Sequence, residues 1–156
     1  MAVTSHVYPT LSLNALKKTL DVSTETLQVL LIAPGTAYTW NSTSQGHAHV
    51  SDFLGGSGAG SLTEVSTSGT GYTRQALTSV TLTNVSSLVT VLTSADPTWS
   101  SATLSATYAL FYDNTGGSDS ARQVLGYWDF GSTQTVTSAP FVLTINAVGL
   151  LTWTHS

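Results

Sequence analysis

The run TLSATYALFY, residues 103–112, repeats with a period of two. Leu104, Ala106, Tyr108, Leu110 and Tyr112 fall on one side, and Thr103, Ser105, Thr107, Ala109 and Phe111 on the other. A helix returns to one face after three or four residues, so this spacing belongs to an extended strand. The pattern recurs along the chain. TSVTLTNV (78–85) alternates Val80 and Leu82 with Thr81 and Thr83, and residues 88–93 form another short run. Residues 122–130 read as a strand with Val124, Gly126, Trp128 and Phe130 opposite Leu125, Tyr127 and Asp129. FVLTIN (141–146) directs Phe141, Leu143 and Ile145 inward, and LLTWT (150–154) follows. The aliphatic segment TETLQVLLIA (24–33) stops at Pro34-Gly35 and reads as a buried strand. Strands at short intervals with turn residues between them predict a mainly β fold, an antiparallel β-sandwich or barrel.

One helix is expected, a short N-terminal one over residues 10–20, where Leu13, Leu16 and Leu20 share a face. The whole chain, 1–156, reads as a single domain. Within it, residues 1–9 form an N-terminal arm and residues 34–71 a long loop region with a short element near Val50 to Leu54. The GGSGAGS run inside that region has nothing large enough to pack. It lacks the Gly-Lys-Ser/Thr continuation of a phosphate-binding loop.

Charge narrows the function classes. Only 8% of residues are Asp, Glu, Lys or Arg, against roughly 25% in an ordinary soluble domain. Ser and Thr, about a third of the chain, supply most of the polar surface, an excess over average usage. Four basic residues and a net charge of -4 leave no positive patch for nucleic acid. There is no cysteine, which removes disulfides, thiolate nucleophiles and cysteine metal clusters. The N-terminal residues lack the pattern of a signal peptide and no apolar run is long enough to span a bilayer, so no membrane partner is expected and a cytosol is the expected place of synthesis. A surface so poor in charge suits contact with other protein.

Candidate chemistry is sparse. His47 and His49, in HAH, lie at a spacing some metal sites use, but two polar loop residues are the simpler reading and no cofactor is expected. Asp113 and Asp129 close two aromatic-rich runs. Both read as turn residues at strand ends rather than as a catalytic pair. No G-x-S-x-G elbow occurs. Of the tryptophans, Trp128 and Trp153 read as core, whereas Trp40 and Trp99 read as loop residues available to a partner. Val7, Tyr8 and Pro9 of the arm are the other expected partner contacts.

Larger motifs point to a source. SGTGYTRQAL, SADPTWSSATLSATYALFYDNTGG, LGYWDFGSTQTV and FVLTINAVGLLTW, in that order, resemble a widespread group of small tailed-bacteriophage virion proteins. LKKTLDVSTETLQVLLIAP followed by HAHVSDF is similar to the opening of the same group. The resemblance runs from about Leu11 to Trp153, and GGSGAGS departs from it. It implies a structural, non-enzymatic virion component: a capsid decoration or cement protein that bridges major capsid protein subunits as a homotrimer or other homo-oligomer. The alternatives are a tail or fibre component that binds host-surface carbohydrate, and a virion-associated hydrolase.

Overall fold

A computed structural model of the chain describes residues 3–8, 21, 25–35, 48–54, 62–86, 89–115, 117–145 and 149–154. Eight strands carry the fold: β1 Thr4–Val7, β2 Leu27–Ile32, β3 Gln75–Ala76, β4 Thr81–Ser86, β5 Val89–Thr93, β6 Thr98–Asp113, β7 Val124–Val142 and β8 Leu151–Thr154. A single turn of helix, α1, spans Val50–Phe53. The strands form two antiparallel sheets, one ordered β1-β7-β6-β2-β3 and one ordered β4-β5-β8. The architecture is sandwich-like and mainly β. The helix expected at residues 10–20 lies outside the described residues.

The two sheets bury a common core. Leu92 and Leu151 of the small sheet pack with Leu27, Val29, Leu31, Phe111 and Trp128 of the large one. Burying an aliphatic or aromatic side chain of this size contributes about 1.5–3 kcal/mol. The opposite face of the large sheet is covered too. Val50 and Phe53 of α1, together with Leu62, pack on Leu30, Leu110, Tyr112 and Tyr127. Parts of the long loop region therefore form a lid on the sheet. That explains why β6 is buried at every position from Ala109 to Asp113.

The long strands β6 and β7 hold the layers together, and they do not keep one register. Their pairing shifts between Ala106 and Tyr108 and again between Phe111 and Tyr112. The first irregularity exchanges the faces in β6 and the second exchanges them in β7. Leu104 and Ala106 face the inter-sheet core, but Tyr108, Leu110 and Tyr112 face α1, while Ala109 and Phe111 take over the inter-sheet side. In β7, Val124 joins the α1 side, whereas Leu125, Trp128 and Phe130 lie in the inter-sheet core. The single alternation expected for 103–112 and for 124–130 is corrected accordingly.

Two further expectations change. Residues 124–142 form one strand where two separate ones were expected. At Gly131 the backbone turns to φ 69°, a conformation that costs glycine little. Its N–H donates to Asp129 Oδ1 at 2.7 Å. Asp129 thus supports a bend inside a strand rather than a strand end. The N-terminal arm is not free either. Strand β1 pairs with β7 from Thr4↔Asp129 to Val7↔Gly126. Tyr8 is 1% exposed, with its ring edge-on to Phe53 at 5.3 Å. Val7 packs against the inter-sheet core. Tyr8 is built into its own chain, which corrects its assignment as a partner contact, while Val7 is half-buried.

Strand β4 departs in the other direction. All six of its residues are exposed, and Leu82 and Val85 are 50% and 61% accessible. Among the described residues it is the edge of the small sheet and pairs only with β5, and it carries a bulge between Asn84 and Ser86.

Candidate functional site

The described polar side chains converge most densely around Arg74. Its Nε and Nη2 donate to Glu64 Oε1 and Oε2 at 2.9 and 2.7 Å. Its Nη1 and Nη2 donate to Asp119 Oδ1 and Oδ2 at 2.7 and 2.9 Å. Both contacts are two-pronged, the arrangement that suits a planar guanidinium. Arg122 Nη1 also donates to Asp119 Oδ1, at 2.7 Å. Both guanidinium groups lie near the Tyr112 ring, 5.6 and 5.8 Å from its centroid. The Tyr72 hydroxyl donates to Glu64 Oε1 at 2.8 Å and accepts from the Leu31 N–H at 3.0 Å.

Electrostatics follow the geometry. Hydrogen bonds from Arg74, ahead of those from Arg122, lower the Asp119 carboxyl to about 2. Asp119 and Glu64 raise Arg74 further above its already high value. Burial raises the Tyr72 hydroxyl. Every nitrogen of the Arg74 guanidinium is engaged, and each carboxylate holds a charged donor. The network fastens three separate stretches, around Glu64, Tyr72 to Arg74 and Asp119 to Arg122, beside β2 and β6. It has the character of a clasp.

Of the two acids expected as turn residues at strand ends, Asp113 behaves as such, whereas Asp129 supports the bend at Gly131 inside β7. Asp113 is 5% exposed, and its Oδ1 accepts from Thr115 N and Thr115 Oγ1 at 2.8 and 2.6 Å. Asp129 pairs with Tyr108 in the β6–β7 ladder. Asp113 lies five residues further along β6, roughly 17 Å away at strand spacing. The two cannot flank one scissile bond as glycosidase carboxylates do. Asp113 does stand close to Glu25, whose carboxyl is raised by burial and then, against a lowering backbone hydrogen bond, by the Asp113 charge.

His49 caps α1. The N–H groups of Ala48 and His49 donate to Asp52 Oδ2 at 2.9 and 2.8 Å, and His49 Nδ1 lies 3.7 Å from the same oxygen. His47 lies outside the described residues, as do Pro9 and Trp40. Among the described residues no three His, Asp or Glu side chains form a metal-binding group. Trp99, expected in a partner-facing loop, is instead in β6 and 2% exposed. Its Nε1–H donates to the Thr73 carbonyl at 2.7 Å, and its ring meets Tyr72 and Phe141, each at 5.9 Å. That contact assignment is corrected: the indole closes the core. Trp128 is buried and Trp153 packs against the core, as expected.

Two surface features were not anticipated. One is the fully exposed β4. The other is a groove of about 600 Å³ beside β1 and β7, lined among others by Val3, Ser5, Trp128, Phe130, Phe141 and Val142. None of its described lining residues is charged. Exposure of Leu82 was hidden by its ordinary strand pattern, and the groove depends on register that periodicity does not encode.

No protein-family model matches the chain, and no curated protein or solved structure is similar enough to it to count as a match.

Proposed function

We propose that this protein is a structural component of a tailed-phage virion, a decoration or cement protein that binds the major capsid protein lattice from outside. The observation that carries the reading is the fate of the charges. Both arginines are spent on ion pairs within the clasp, in a chain of only 8% charged residues. What remains on the surface is mostly hydroxyls and a few aliphatic side chains, which suits broad contact with protein. The motif order from Leu11 to Trp153 supports the same reading.

Binding of this kind needs no chemistry. Contact area lowers the free energy of a closed shell by roughly 25 cal/mol per Å² before association costs are subtracted. Many modest contacts on one particle then reinforce one another.

The test is stoichiometry. This protein is quantified against the major capsid protein in purified particles of the encoding phage. Hundreds of copies per particle are expected. A few copies per particle would move it to the tail or a vertex and favour binding of host-surface carbohydrate. Absence from particles would overturn a virion role.

A further inference from the structure

Four large hydrophobic side chains are exposed among the described residues: Val3, Leu82, Val85 and Val142. They fall in two places. Leu82 and Val85 stand on β4, and Val3 and Val142 line the groove floored by Trp128, Phe130 and Phe141. One place projects and the other is concave.

We infer that β4 of one copy of this chain inserts into the β1/β7 groove of another copy. Neither partner surface carries charge. Residues 75–95 contain no Asp, Glu, Lys or Arg, and the groove lining contains none, so contact leaves no ion unpaired. Backbone groups are available as well. Among the described residues, β4 pairs only with β5. Strand β1 pairs with β7 only over Gly126 to Asp129, so beyond Asp129 that edge of β7 has no strand partner among the described residues. An incoming β4 meets both apolar side chains and an open ladder, the usual means of strand addition.

A second copy is the occupant because one chain carries both complementary halves, as contact between unlike patches of identical subunits requires. Pairing of β4 with β4 of another copy is disfavoured. It would leave the apolar groove of both copies open to water. The β4-to-groove contact closes as a reciprocal two-fold pair or as a ring. It deepens the proposed virion role by naming a partner surface, yet it is tested on purified protein without particles, so it stands or falls separately from the copy-number result.

The experiment is sedimentation of the full chain, wild type and two variants, Leu82→Asp and Val142→Asp. The wild type is expected to associate, and each variant to dissociate at least about tenfold more readily. An equimolar mixture of the two is expected to associate more strongly than either alone, because one supplies an intact groove and the other an intact β4. A wild type that stays monomeric at about 1 mM, where weak contacts become populated, overturns the inference. So does a Val142→Asp chain that associates like wild type. Cysteine mapping guards against variants that misfold, since the chain has no cysteine of its own. Under oxidation, Leu82→Cys mixed with Val3→Cys or Val142→Cys is expected to give mixed disulfides. Leu82→Cys homodimers in their place would show β4 meeting β4 and overturn the groove assignment.

Discussion

Arg74 grips Glu64 through two parallel hydrogen bonds, Nε to Oε1 at 2.9 Å and Nη2 to Oε2 at 2.7 Å. The pair is about one-fifth exposed on each side, 21% and 23%. Truncating Arg74 to Ala takes the guanidinium from both carboxylates, leaving Asp119 to Arg122 and Glu64 to the Tyr72 hydroxyl, and is expected to cost about 2–3 kcal/mol in chemical denaturation. Arg74→Lys is expected to recover less than half of that, because an ammonium cannot reproduce two planar forks.

Asp119 gives the clasp a pH dependence. Its folded value, about 2, lies below the ordinary carboxylate value of about 3.9. The folded state therefore binds the proton more weakly than the unfolded chain. The stabilisation is complete above about pH 4 and is lost as pH falls towards 2. Thermal melts at stepped pH check this: Asp119→Asn should be less stable at neutral pH, and the gap to wild type should narrow in acid.

Glu25 has the opposite sign. Burial, followed by proximity to Asp113, raises its carboxyl. Its contribution is present below the unfolded value and lost as pH rises through the folded one. Glu25→Gln is therefore expected to melt higher than wild type at pH 7, with the advantage shrinking as the solution is acidified. A lower melting temperature at pH 7 would contradict the repulsion described here.

The Trp99 indole combines a buried ring with one directed bond to the Thr73 carbonyl. Trp99→Phe keeps most of the ring and loses that bond, at an expected cost of about 1–2 kcal/mol. Trp99→Ala also opens a cavity and is expected to cost about 3–5 kcal/mol. Urea unfolding of the two variants separates the hydrogen bond from the packing.

The strands were readable where one face alternates or where a short aliphatic run ends at Pro-Gly, as at β2, β5 and β8. Periodicity assumes an unbroken register, and β6 and β7 break theirs, so correct strands came with wrong faces. Gly131 looked like a terminator because local sequence does not distinguish a turn from a bulge. Trp99 looked exposed because Asp96-Pro97 marks a turn, yet β6 begins immediately after it, at Thr98. The clasp left no local mark: Arg74 and Asp119 are 45 residues apart in sequence. The scarcity of charge was the available hint, since a chain with two arginines in its β region places each of them for a reason.

The clasp also bears on how the protein is degraded. Trypsin must draw an arginine side chain into an acidic pocket, and the side chains of Arg74 and Arg122 are already held by Glu64 and Asp119. Cutting after either residue requires the surrounding segment to open first. Digestion at these two bonds would then scale with the population of opened molecules. Under the proposed role, these two bonds would stay uncut in a protease-rich setting for as long as the sandwich stays shut.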